Sequence, residues 1–193
     1  MPMKIITISR EFGSGGGTIG RKVAEKLGIP CYDAEIINKM SEESGFAKEY
    51  IKEESKNINR GWLNFSFLNR ESGMTNQDIL WGIQKQIILD LANKGPCVIV
   101  GRCADFILKD RDDVLNVFIH ASFEYRANRI VEVYGEHEES KEDRIKLKDK
   151  QRATYHRYYT DMKWGQAANY HLCLDSGKLS IDDCVNSILN LYH

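Results

Sequence analysis

The chain has 193 residues, 42% of them hydrophobic, a size and composition that suit one domain with a real core. Its 27 basic and 28 acidic residues leave a formal net charge of -1, which argues against wholesale nucleic-acid or membrane binding. No apolar run of roughly 18 residues occurs, and the N-terminus leads straight into a strand-like segment, so neither a transmembrane helix nor a signal peptide is expected.

In chain order, Met3–Ser9 (MKIITIS) is apolar and rich in β-branched residues and is predicted to be a buried strand. A glycine-dense turn follows, then Thr18–Leu27 at helical spacing, stopped by Gly28. Asp33 is placed to cap a helix running to about Ser44. Residues 57–73 show no clean period, and Trp62, Phe65 and Phe67 fall there in an irregular segment. Thr75 and Asp78 form a capping-box spacing for a long helix that closes at Gly95. Cys97–Val100 and Val114–Ile119 are two further buried strands, and Ser122–Tyr134 and most of Glu138–Tyr159 are helices. Tyr170–Leu174 is the fourth strand, and Ser180–Tyr192 the closing helix, with Ser180 and Asp183 at its cap. Strands alternating with helices imply βαβ units and a parallel sheet covered on both faces. The five cysteines (Cys31, Cys97, Cys103, Cys173, Cys184) are odd in number and form no C-x-x-C pair, so they are expected as reduced thiols of a cytoplasmic protein. The five histidines show no ligand spacing, so no structural metal is expected.

The turn ISREFGSGGGTIGRK places Gly13, Ser14, Gly15, Gly16, Gly17 and Thr18 between the first strand and the first helix. Glycines there let successive backbone N–H groups converge on a phosphate, and the helix N-terminus adds a favourable dipole. The Walker A pattern is G-x-x-x-x-G-K-[ST]. Gly15 matches its second glycine, and Thr18 lies near the hydroxyl that binds Mg²⁺. Arg10, however, stands at the first glycine, and Gly16 at the lysine. A plain βα turn needs one or two glycines, and the entropy cost of four favours a phosphate cradle. Its positive charge must then come from elsewhere: Arg10, Arg21 or the later basic segment.

Four segments in order carry a family resemblance: ITISREFGSGGGTIGRKVAEKLGIPCYDAEII, then VIVGRCADFIL, HASFEYRANRI and NYHLCLDSGKLSIDD. Together they resemble the cytidylate-kinase-like family, a branch of P-loop kinases with a modified phosphate loop. The resemblance implies a P-loop nucleoside triphosphate hydrolase fold, with a five-stranded parallel sheet, helices on both faces and a helical lid at about 137–160. It also implies transfer of the γ-phosphoryl group of ATP to a nucleoside monophosphate with Mg²⁺. Gly101 and Arg102 match a G-R-D segment whose arginine and aspartate hold the acceptor, but Cys103 takes the aspartate position. IPCYDAEII departs from the Y-x-D-T-G-A-x-Y-R pattern, leaving Asp33 as the counterpart of its aspartate.

Each candidate residue has a plainer alternative. Arg102 follows a buried strand at its C-terminal end, where parallel sheets bind ligands, or is a surface arginine in an ordinary turn. Lys141–Arg157 holds seven basic residues, from which Lys150, Arg152 and Arg157 are the candidate catalytic cations of a lid; the alternative is a solvated helix. Arg144, Lys148 and Arg152 lie four apart on one face. Arg126 and Arg129 approach the donor nucleotide by resemblance, or pair with Glu124 or Glu132 on their own helix. Tyr155, Tyr158 and Tyr159 at helical spacing are read as packing rather than as a base pocket. Asp33 binds acceptor or Mg²⁺, or is only a cap, and Asp175 is a family position or a turn with Ser176–Gly177. No clear Walker B aspartate terminates a strand, so magnesium rests on Thr18, phosphate oxygens and water. The leading expectation is therefore a kinase acting on nucleotides, as monomer or homodimer, with no nucleic-acid or membrane partner. A nucleotide-binding regulator without transferase activity and a kinase for another acceptor are the alternatives.

Overall fold

A strand buried on both faces reads as an unbroken apolar run, and Ile5–Arg10 (β1) has that form, with Ile5 to Ser9 all buried. In the computed structural model, which describes residues 4–33, 35–45, 48, 52, 75–135 and 139–192, β1 is the central strand of a five-stranded parallel sheet. After it come α1 (Gly16–Leu27), β2 (Cys31–Tyr32), α2 (Glu35–Ser44), α3 (Asn76–Lys94), β3 (Cys97–Val100) and α4 (Ala104–Ile107). Then follow β4 (Val114–His120), α5 (Phe123–Tyr134), α6 (Lys141–Thr160), a 3₁₀ turn at Ala167–Asn169, β5 (Leu172–Asp175) and α7 (Ile181–Tyr192).

The strand order is β2-β3-β1-β4-β5. Alternation along each strand sorts the side chains into two layers. Ile6 pairs with Val98 and Leu115, and Ile8 with Val100 and Val117; this face meets Ile19 and Val23 of α1 and Val185 and Ile188 of α7. Ile5, Cys97, Ile99 and Val114 face the other way, against Ile36 and Met40 of α2 and Ile87, Ile88 and Leu91 of α3. Thr7 on that face donates to Asn116 Oδ1 at 2.6 Å, so the polar pair is satisfied within the sheet.

The expected five-stranded parallel sheet, covered on both faces, is present. Local chemistry sets the element ends: Thr75 and Asp78 form the anticipated capping box, and Ser180 and Asp183 bond reciprocally ahead of α7. The helix expected over most of Glu138–Tyr159 spans Lys141–Thr160, and Ser140 accepts from Asp143 N at 3.1 Å and caps it. Two elements carry too few residues to show a period: β2, which has two, and α4, which has four. The irregular segment 57–73 lies outside the described residues. Among those described, no helix is long and apolar enough to cross a membrane, and all five cysteines are free thiols.

Arg111 fastens the entry to β4. Its guanidinium grips Asp113 with two bonds of 2.9 Å and reaches Asn93 at the end of α3 at 2.8 Å. The bond from Arg111 holds the Asp113 carboxyl below its ordinary value. A lowered carboxyl contributes stability above its unfolded pKa and loses it as pH falls through the folded one. Asp113→Asn is therefore expected to lose about 0.5–1 kcal/mol at pH 7, the partly exposed setting limiting the effect. In urea titrations that deficit should persist down to about pH 5 and shrink below about pH 4.

Candidate active site

β1 ends at Arg10, and the chain order reverses at this strand, with β3 on one side and β4 on the other. In open parallel sheets that is where ligands bind, outside the carboxyl ends of the strands. Residues 11–15 turn from β1 into α1, with Gly13 and Gly15 at φ of 85° and 84°, a region that side chains rarely enter. Ser14 is fully buried, its hydroxyl shared between Glu11 O at 2.9 Å and Ile119 O at 3.1 Å, while its carbonyl accepts from Ser176 at 2.6 Å. The Ser14 side chain thus braces the turn. α1 opens with neither a capping side-chain bond nor an acidic residue in its first turn. Its first N–H groups have no intrahelical acceptor, and the helix dipole adds to them.

α6 lies against this turn. Asp149 accepts from Phe12 N at 2.7 Å and from the Arg126 guanidinium. Arg126 also donates to Phe12 O at 3.1 Å and Ala121 O at 3.2 Å and pairs with Glu11 at 3.4 Å. Only 7% exposed, it is a strut between α5, the turn and α6. Arg152 donates to Arg10 O at 2.8 Å; burial, and next the charge of Arg10, pull its guanidinium down to about 9. Of the three expected lid cations, only Arg152 reaches the site; Lys150 and Arg157 are exposed. At about 100° per residue, Lys150 sits about 200° and Arg157 about 140° around the helix from Arg152. Lys148, four residues earlier, shares its face and lines the same cavity.

That cavity, about 270 Å³, opens between the ends of β1 and β3 and α6. Arg10, Lys52, Arg102, Lys148 and Arg152 line it, and among the described residues no carboxylate does. Gly101, Arg102 and Cys103 all take positive φ, at 78°, 57° and 55°, a strained run of the kind that accumulates at functional sites. Gln84, fully buried on α3, holds it by donating to Arg102 O at 3.0 Å and accepting from the Tyr155 hydroxyl at 3.0 Å. Cys103 is buried against the cavity wall, where burial first and then Asp105 push its thiol well above the ordinary value. Asp105 is itself buried, its Oδ2 3.1 Å from His156 Nε2, while His156 Nδ1 faces Thr160 Oγ1 at 3.1 Å.

On the helix side of the turn, Thr18 Oγ1 accepts from Arg129 at 3.2 Å. Asp33 lies 3.5 Å from Arg10 and 3.9 Å from Arg21, and its Oδ2 would be 3.6 Å from a Cβ at Gly17. Gly17 is where the Walker A pattern has its metal-binding hydroxyl, so a carboxylate borders the place that glycine leaves bare. Magnesium takes one or two carboxylates, phosphate oxygens and water, and Asp33 with Thr18 fits such a partial donor set. No group of three or more acidic, histidine or cysteine side chains suited to a metal occurs among the described residues. Asp175 accepts from Gly177 N at 2.9 Å, the turn anticipated as its alternative.

The sequence does not mark Asp149 or Gln84 as site residues, places Lys148 only among the seven basic residues of the lid, and reads Tyr155 as packing. The only signals for them were i, i+4 spacing to Arg152 for Lys148 and a polar residue on an apolar helix face for Gln84. Tyr155 packs edge-on to Trp81 at 6.4 Å, as expected of a packing residue, and lines the cavity as well. Replacing Arg126 by Ala strands Asp149, Glu11 and two carbonyls. Urea unfolding should show a loss of about 3 kcal/mol or more, and Arg126→Lys should recover little of it, since an ammonium cannot reproduce the fork.

The comparisons with known proteins agree with this architecture. A model of the cytidylate kinase-like family matches residues 5–178. A cytidylate kinase from Pyrobaculum aerophilum is 24% identical over 191 residues, covering 97% of this chain and 92% of that protein. Among solved structures, an uncharacterized protein from Eubacterium ventriosum is 30% identical at a TM-score of 0.70, with 96% of each chain covered. Shikimate kinase from Acinetobacter baumannii is 16% identical at 0.57, covering 98% of this chain and 92% of that one, and shares the fold. The chain has the P-loop kinase fold and belongs to the cytidylate kinase-like family.

Proposed function

We propose that the protein transfers the γ-phosphoryl group of ATP to a small phosphorylated acceptor, a nucleoside monophosphate by preference. The observation that carries this reading is a cavity lined, among the described residues, by five cationic side chains and no carboxylate, beside a helix N-terminus without a side-chain cap. ATP is held by the turn of residues 13–18, whose N–H groups and helix dipole face its phosphates, with Arg129 beside Thr18. The acceptor is held by Arg102 and Lys148 across the cavity.

The cations that line the cavity argue for the class of acceptor. A hydroxyl acceptor needs a base to take its proton. A phosphate oxygen is already ionised and needs only to be brought into line against charge repulsion, which clustered arginines supply. His156 does not serve as a base, since both ring nitrogens already face protein partners. In the transfer, the acceptor oxygen bonds to the γ-phosphorus as the bond to the β-phosphate oxygen breaks, and that electron pair leaves with ADP. When bound, Mg²⁺ neutralises charge on the β- and γ-oxygens, and Asp33 and Thr18 are the side chains that would hold it. Arg152, sealed against the turn, excludes water from the transferring group.

The test is ADP release from ATP and Mg²⁺ with a panel of nucleoside monophosphates, small non-nucleotide phosphates and hydroxyl acceptors. Turnover is expected with a monophosphate, and Arg102→Ala should raise the KM for it about tenfold or more with a smaller change for ATP. A folded sample that turns over no acceptor rejects the reading, and turnover on hydroxyl acceptors alone rejects the acceptor class.

A further inference from the structure

The strongest departure from the Walker A pattern is the missing lysine, and the space around Gly16 shows why no lysine stands there. A Cβ at position 16 would lie 2.5 Å from Arg10 Cβ and 2.8 Å from Arg10 Cγ. These atoms sit at the root of the arginine and cannot swing aside. A side chain at position 10 and one at position 16 therefore exclude each other. The motif resolves the conflict as glycine first and lysine second; this chain resolves it as arginine first and glycine second.

The Arg10 side chain runs on from Gly16 to Gly101, where a Cβ would fall on its Nη1. Its guanidinium thereby stands between the α1 N-terminus and the cavity, with Asp33 at 3.5 Å as its ion-pair partner. Like charges crowd it: Arg102 and Arg152 both lie close enough to act on it or be acted on. Three guanidinium groups gathered at one mouth repel one another, an arrangement that an anion between them relieves. Burial penalises Arg10 further, so the chain holds a charge here at some cost to stability.

We infer that Arg10 is the catalytic cation of the modified loop, reaching the β- and γ-phosphates of the donor in place of the absent lysine. This rests on the phosphotransfer reading. It goes beyond it by naming the residue that supplies the missing charge and by stating that positions 10 and 16 are interchangeable hosts for that charge. Arginine adds something a lysine does not: a planar fork able to grip two phosphate oxygens at once. Its place between donor turn and acceptor cavity lets one group contact both sides of the transferring phosphoryl.

Calorimetry with ATP and Mg²⁺ on four chains tests the inference: wild type, Arg10→Met, Gly16→Lys and the double variant Arg10→Gly/Gly16→Lys. Methionine keeps the apolar stem and removes only the charge, so a packing role would leave ATP affinity unmoved. Arg10→Met is expected to bind ATP about tenfold or more weakly at a melting midpoint no lower than that of the wild type. Gly16→Lys alone should be at least as impaired, through the clash with Arg10. The double variant should recover most of the wild-type affinity, because it restores the other solution to the same steric conflict. Should Arg10→Met fail to fold, Arg10→Gln supplies the same charge-free readout. Wild-type affinity in the charge-free variant, or a double variant no better than Gly16→Lys, overturns the assignment while leaving the phosphotransfer reading intact. A wild-type chain that binds no ATP overturns both.

Discussion

Asp149 joins the two halves of the site. One of its oxygens accepts the backbone N–H of Phe12 at 2.7 Å, and the other takes the Arg126 guanidinium. Through that carboxylate the register of α6 is locked to the turn after β1. Lys148, Arg152 and Tyr155 follow from it, because they share one face of a helix whose rotation is now set. Arg126 closes the same clamp from α5, holding Phe12 O and pairing with Glu11. Lose the clamp and the turn keeps its glycines, but the cations brought by α6 have no fixed address.

Charge organises what the clamp positions. The whole chain is nearly neutral, at -1, yet among the described residues five cationic side chains line a cavity of about 270 Å³. Such local excess is expensive in a half-buried setting unless an anion completes it. Asp33 offsets part of it from the edge of the sheet, within 4 Å of both Arg10 and Arg21. The strained run Gly101–Cys103, held by Gln84 and Tyr155, aims the backbone at Arg102 into the same space. These costs fall on the described residues around one cavity, while the two apolar layers on either face of the sheet are regular and fully buried.

Much of the site was legible in order along the chain. Four glycines between a strand and a helix marked the phosphate turn, and Arg102 after a buried strand marked the second wall. The lid was legible only as a segment. Lys150, Arg152 and Arg157 are all cationic residues of one segment, and nothing in their identity says which faces inward; that depends on how α6 is rotated against α5 and the turn. Arg126 looked like a cation for a nucleotide, but its surroundings are protein: a carbonyl at Phe12, another at Ala121 and two carboxylates. A two-residue strand such as Cys31–Tyr32 has no period to detect, and its pairing with Val98 and Ile99 exists only in the sheet.

Local patterns thus determined the elements: apolar runs that must be buried on both faces, caps that stop helices, and glycines that admit positive φ. They determined the family as well, because ordered segments survive as sequence. Only the tertiary structure decided how Arg10 and Gly16 share one space. Position 16 lacks a side chain because Arg10 fills its space, and that contact joins residues on a strand and a helix whose approach no local spacing records. Sequence shows an arginine and a glycine six places apart; their mutual exclusion is a fact of packing density, since two roots cannot share one volume.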